Sequence, residues 1–338
     1  MINIIMEEKL IMERTADKSH KGITNSIKKD VINLSNLALL ITLLALVAVF
    51  ASLSPYFLTI QNLYAIGLTI SVIGIVCIGQ TLCLITRGFD LSVGAVAAFA
   101  GMVCAFLNNA GVPLRVSIII SLLTGALIGL LNGVLITRLK INALITTLAT
   151  MSIFFGGVLI ISKGYSLFFA DPAFLGLANS TIFSVPTPII ILILFYVVFY
   201  IILKYTVFGR YVYAIGGNPE AARMSGIDVE RLQMVIYIIS SLLSAFAGLV
   251  LASRMGAAQT TAGSTYALDS IAAVILGGTS LAGGKGSVLG TLLGVIVIGV
   301  MNHGLIMLNV PPYYQGVATG IVLIIAVLLQ TSNLRGKK

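Results

Sequence analysis

No Asp, Glu, Lys or Arg occurs from Val31 to Thr86, from Val116 to Thr137, from Ile141 to Ser162, from Leu232 to Ser253 or from Gly286 to Leu334. A helix needs about 20 apolar residues to cross the hydrocarbon core of a bilayer, so each stretch has room for one or two crossings. Only 9% of the residues are charged and 58% are hydrophobic, whereas a soluble domain is about a quarter charged. The chain therefore reads as an all-α membrane protein. Its net charge of +9 comes from basic residues scattered between the apolar runs, which suits a topology signal better than a nucleic-acid surface.

Caps and breakers divide the apolar sequence into about ten transmembrane helices. The expected spans are Leu37–Leu53, Leu63–Ile85, Leu91–Leu107, Val116–Ile136, Asn142–Ile161, Pro188–Leu203, Gln233–Leu251, Leu268–Leu281, Val288–Leu308 and Tyr314–Leu329. The third and eighth are short enough to be re-entrant. A polar N-terminal tail (1–33) precedes a transmembrane domain (34–333), and a short tail (334–338) follows it. The first apolar run has no small-residue cleavage site after it, so it is expected to be retained as a helix. With ten spans and the N-terminus inside, 17 of the 20 Lys and Arg fall on the cytoplasmic side, and only Arg115, Lys163 and Arg254 fall outside. Such a split puts both termini and the loop 204–233 in the cytoplasm.

That loop is the one long polar interval inside the membrane domain. Gly216 and Gly217 read as a turn, Asn218 as an N-cap, Pro219 as the first helical residue and Gly226 as the left-handed residue past a helix end. Glu220, Ala221, Ala222, Arg223, Met224 and Ser225 fill about two turns between them. A helix so short is marginal alone and needs a surface to dock on.

The two halves echo each other. Gly125, Gly129, Asn132 and Gly133 in span four resemble Gly294, Gly299, Asn302 and Gly304 in span nine, and the Asp90 segment opening span three resembles the Asp269 segment opening span eight. Helices 2–5 and 7–10 would then form an inverted repeat, a transporter architecture. The same small residues also serve close helix packing.

Little here could catalyse a reaction. His20 and His303 are the two histidines, Cys77, Cys83 and Cys104 lie in apolar spans without metal-ligand spacing, and no cofactor is expected. The run from Gly278 to Ser287 around Lys285 fails as a phosphate-binding loop. Thr279 stands where its first glycine belongs, and Gly286 stands where Ser or Thr must ligate magnesium. It reads instead as a glycine-rich turn. Asp90 and Asp269 read as helix caps, with Arg87 near enough to pair with Asp90. Uncharged hydrogen-bonding residues are left as candidates for a solute path: Gln61, Asn62, Gln80, Asn132, Thr146, Thr147, Thr150 and Asn302. Each could equally bond a neighbouring helix.

Three motifs then carry a resemblance: Gly88-Phe-Asp-Leu-Ser-Val-Gly94, the loop from Gly209 to Ile227, and Leu268 to Ser287. In this order they resemble the ribose-type sugar permeases of bacterial ABC importers, over nearly the whole chain from about Leu34. The resemblance implies an inner-membrane permease, paired with a second permease copy and served by a cytoplasmic ATP-binding subunit and a sugar-binding protein. It also implies that the segment docking in the ATPase is carried by Pro219, Glu220, Ala221, Ala222, Arg223 and Gly226. Ion-gradient-driven secondary transport is the alternative. It would need titratable groups near the midplane, and both embedded Asp are expected at helix ends.

Overall fold

The computed structural model describes residues 34–169 and 171–335; the N-terminal tail and residues 336–338 lie outside them. Thirteen helices occur among the described residues. They are α1 (Leu34–Leu53), α2 (Ile60–Ile85), α3 (Val93–Asn109), α4 (Leu114–Thr137), α5 (Ala143–Ser162), α6 (Pro172–Asn179), α7 (Thr187–Tyr205), α8 (Val207–Gly217), α9 (Pro219–Met224), α10 (Val229–Met255), α11 (Tyr266–Leu276), α12 (Val288–Met307) and α13 (Pro312–Arg335). Two small two-stranded pairs join Leu167–Phe168 to Ala257–Ala258 and Thr181–Ile182 to Val185–Pro186. The second of these is a hairpin next to α6, between the fifth and sixth expected spans.

Six helices, α2, α4, α5, α7, α10 and α12, are long and apolar enough to cross a membrane, and four apolar helices are shorter. The expected ten spans fall on these ten elements, of which six qualify as candidate membrane spans; α1 and α13 contribute the shorter apolar stretches Leu39–Leu53 and Tyr314–Leu328. α3 has 17 residues and α11 only 11, about 16 Å of helix at 1.5 Å per residue. The eighth span was expected to reach Leu281, but Gly277 and Gly278 end it, the latter at φ 87°. α13, in turn, runs on to Arg335, past the expected start of the C-terminal tail.

α2 is the centre. Its apolar window is 89% buried within the chain, against 22% for α5. It packs on α10, α12, α7 and α11, and the largest core gathers Ile75, Ile78, Ile236, Val274 and Ile298 from four of these helices. Between helices in lipid, apolar burial drives little by itself, and close backbone approach supplies the contact energy. The glycine series provides that approach. A Cβ on Gly129 of α4 would stand 2.5 Å from the Tyr237 carbonyl oxygen of α10, and one on Gly294 of α12 would stand 2.0 Å from the Ala273 oxygen of α11. The cross-packing of the halves is reciprocal: α10 lies on α3 and α4, and α2 lies on α11 and α12.

Candidate functional site

The polar loop folds as two helices rather than one. α8 begins where the Thr206 hydroxyl accepts from the Gly209 N–H, and it continues through Gly216 and Gly217, the pair expected to form a turn. At Gly216 the space excludes any side chain, whereas Gly217 is open. A Cβ on Gly216 would lie 1.9 Å from the Ile85 carbonyl oxygen and 2.5 Å from the Gly284 nitrogen.

α9 is stopped cleanly at both ends. Asn218 Oδ1 accepts from the N–H groups of Glu220 (3.0 Å) and Ala221 (3.1 Å), and Pro219 takes the first position, where no N–H is needed. At the other end Gly226, at φ 83°, donates to the Arg223 carbonyl and Ile227 donates to the Ala222 carbonyl, a Schellman closure. Ala222 is 4% exposed and packs with Ile215 and Val229 in a core of its own. Its side chain thus seats the helix. Glu220, Ala221 and Arg223 face outward, and Met224 is 91% exposed. Arg223 Nη2 pairs with Glu230 Oε1 at 3.1 Å, and Lys140 Nζ reaches the same oxygen at 2.8 Å. These ion pairs are exposed and stabilise weakly, so the two caps and the small core hold the helix.

Behind α9, four segments meet. The guanidinium of Arg87 donates through Nε to the Gly216 oxygen at 2.7 Å and through Nη2 to the Gly217 oxygen. It therefore caps the negative end of α8. It does not pair with Asp90. Ile85, two residues earlier, accepts from the Gly284 N–H of the glycine-rich turn at 2.8 Å, and Gly283 and Gly284 take the positive φ that this turn requires. Tyr213 of α8 donates to the Gly286 oxygen, and Gln233 of α10 donates to the Thr86 oxygen. The end of α2, the most buried helix, is thereby tied to α8, α10 and the turn that holds Lys285, itself an exposed residue.

Asp90 is fully buried and is not the cap of α3. Its Oδ1 accepts from the Ser92 backbone N–H (3.0 Å) and the Ser92 hydroxyl (2.6 Å), and its Oδ2 accepts from the Ser240 hydroxyl of α10 (2.8 Å). Asn132 of α4 donates to the Ser92 hydroxyl at 2.9 Å, so the network joins three helices. Asp269 lies within the first turn of α11, four residues after the N-cap Thr265, with the Thr265 and Thr319 hydroxyls beside it.

The solute-path candidates are not gathered into one cluster. Gln61 is exposed, and Asn62 donates to the Phe57 oxygen and meets His303 Nε2 at 2.9 Å. Thr147 and Thr150 bond carbonyls of their own helix. Gln80 stands apart: it is completely buried and neither its Oε1 nor its Nε2 has a hydrogen-bond partner. Thr146 Oγ1, Asn132 Oδ1 and Asn302 Oδ1 likewise have none. Sequence reasoning passed over Met224, Tyr213, Gln233 and Ser240. Met224 could have been found as the one large apolar side chain between the caps of a polar helix. The other three act through contacts more than 70 residues away, with no local signal.

The chain is 39% identical over 292 residues to the ribose import permease protein RbsC of Haemophilus influenzae, covering 85% of this chain and 90% of that one. It is 42% identical over 289 residues to the RbsC of Bacillus subtilis, with coverage of 85% and 90%. It is also 39% identical over 284 residues to the L-arabinose transport system permease protein AraH of Escherichia coli, covering 84% and 87%. No solved structure matches. Residues 62–327 match the family model described as branched-chain amino acid transport system / permease component, and the chain belongs to that family of transport permeases.

Proposed function

We propose that this chain is the permease subunit of an ABC importer, forming the route of a monosaccharide, ribose or a close relative, across the bacterial inner membrane. The family description names amino acids, but relatives near 40% identity over most of the chain are ribose and arabinose permeases, and these weigh more for the solute class. The chain crosses the membrane ten times in this reading, with α3 and α11 as its short elements, and both termini and the α8–α9 loop lie in the cytoplasm. The reciprocal packing of α10 on α3 and α4 and of α2 on α11 and α12 supports an inverted repeat of α2–α5 and α10–α13.

The observation that carries the mechanism is α9: a helix of six residues, capped at both ends, seated on its own small core, with Glu220, Ala221, Arg223 and Met224 turned outward. In this reading it docks in a separate ATP-binding subunit. Closure of that subunit around ATP displaces α9 and α8, and the Arg87 clamp carries the displacement to the end of α2. A second permease copy and a sugar-binding protein complete the importer. Gln80, Thr146 and Asn302, with buried polar atoms lacking partners, are the best candidates to meet the sugar's hydroxyls on the way. Vesicles test the class of transport. Ribose should accumulate when the chain is reconstituted with its ATPase, its binding protein and ATP, and should not accumulate when the chain is alone under a proton gradient. Accumulation by the chain alone would mean secondary transport.

A further inference from the structure

We propose that the hairpin preceding α7 dips into the membrane–water interface, and that Phe183 at its tip is buried among lipid headgroups and upper acyl chains. Its strands, Thr181–Ile182 and Val185–Pro186, are joined by Phe183 and Ser184 alone, at φ 51° and 65°. A two-residue turn with both φ positive is ordinarily filled by Asn and Gly, because a bulky side chain is strained there. Phe183 holds that place with 97% of its surface exposed. A ring so little covered by its own chain cannot repay the strain by packing within the fold. Strained residues of this kind cluster where a chain meets what it binds.

The neighbouring helices set the depth of that tip. The hairpin is tied at its base, where the Ser180 and Thr187 hydroxyls lie 2.7 Å apart and the Thr187 N–H donates to the Ser180 oxygen, so it moves with the start of α7. α7 runs parallel to α2: Ile189 sits over Gly67, and the Tyr196 hydroxyl donates to the Gly74 oxygen at 3.1 Å. Thr187 is therefore level with a point about five residues, or roughly 8 Å, inside the start of α2. The strand Val185–Pro186 lies against α2, so the hairpin leaves α7 alongside the first turns of that helix. With 26 residues α2 is about 39 Å long, more than the ~30 Å of a hydrocarbon core, and its first turns reach the headgroup layer. Composition then favours lipid over a soluble protein. No Asp, Glu, Lys or Arg occurs from Pro172 to Leu203, and the exposed Tyr56, Ile60 and Leu63 beside the start of α2 are uncharged as well. Aromatic and aliphatic groups without charge suit the membrane–water interface, whereas a protein docking site carries a polar rim. The apolar surface continues down α7 through the exposed Ile193, Leu194 and Val197. The proposed sidedness only names which leaflet the tip enters; the contact itself needs no more than that α2 and α7 cross the membrane.

The chain contains no Trp, so one introduced Trp reports from one place. Phe183→Trp is compared with Leu194→Trp, on the exposed face in the middle of α7, and with Met224→Trp on α9; all three positions are exposed, and the larger ring disturbs no packing. Each full-length chain is placed in phosphatidylcholine nanodiscs, which leave both faces open to solvent. Emission is then read with lipid brominated near the headgroup, with lipid brominated near the acyl ends, and under titration with iodide. Phe183→Trp should emit to the blue of Met224→Trp, lose more emission to the shallow bromine than to the deep one, and lose little to iodide. Leu194→Trp should favour the deep bromine, and Met224→Trp should respond to iodide alone. Iodide quenching of Phe183→Trp equal to that of Met224→Trp, with no loss to either bromine, would overturn the proposal by placing the ring in water. Quenching by neither agent would overturn it in favour of a protein cover, such as a second copy of the chain.

Discussion

The segment around α3 and α4 and the segment around α11 and α12 each hold a buried Asp near a helix start, yet they surround it differently. In the first, Asp90, Ser92, Asn132 and Ser240 close into one network in which the carboxylate has three donors and no exposure. In the second, Asp269 is 9% exposed, and Asn302 Oδ1 of α12 and Gln315 Nε2 of α13 are buried without hydrogen-bond partners. A buried polar atom without a partner costs about 1–3 kcal/mol, and the first segment carries two as well, Asn108 Oδ1 and Asn132 Oδ1, so the contrast lies in the carboxylates. Asp90 ties α3, α4 and α10 into a fixed frame, whereas Asp269 has only the Thr265 and Thr319 hydroxyls beside it.

The largest effect expected is on the frame. Gly248 of α10 has the Ala97 oxygen of α3 2.0 Å from where a Cβ would stand, so Gly248→Val should abolish monodisperse protein in size-exclusion chromatography. Gly156→Val, with nothing within 4 Å, should elute as wild type. Next comes the pair of carboxylates. Asp90→Leu removes the acceptor of three buried donors, at about 1–3 kcal/mol each, and should lower the thermal midpoint sharply. Asp269→Asn should leave the midpoint nearly unchanged while reducing sugar uptake. Equal midpoint losses in the two variants would erase the distinction between the halves.

Arg87→Ala sharpens it from the frame's edge. Without the clamp on Gly216 and Gly217, the assembled transporter should go on hydrolysing ATP while uptake per ATP falls on the order of tenfold. The smallest effect belongs to Thr291→Val. It takes away the hydroxyl 2.8 Å from Thr81, whose own bond to the Cys77 oxygen survives, and should cost about 1 kcal/mol in a denaturation series with no change in uptake.

Much of this was legible in sequence, for reasons that also mark where legibility stopped. The charge-free runs yielded α2, α4, α5, α10 and α12 to within a few residues at each end, because apolar length is a local property. The caps of α9 were equally local: Asn218, Pro219 and Gly226 each act within four residues. α8 was missed because Gly209, Gly216 and Gly217 look like breakers until Ile85 and Gly284 are seen pressing against Gly216. Arg87 was assigned to Asp90, three residues on, and its real partners lie 129 and 130 residues away. Ser240, which takes Asp90 from a helix cap to an interhelical anchor, is 150 residues distant. Periodicity holds no information on such pairings.

The most direct test of the account is made on Met224, which is 91% exposed and whose substitution has no reason to disturb the fold. Met224→Glu is reconstituted with the ATP-binding subunit and the sugar-binding protein, and ATP hydrolysis and ribose uptake are measured together beside the thermal midpoint. The account predicts an unchanged midpoint, with uptake reduced to near background and hydrolysis no longer stimulated by the sugar-loaded binding protein. Wild-type uptake and stimulation in Met224→Glu would contradict the claim that α9 is where the chain is driven.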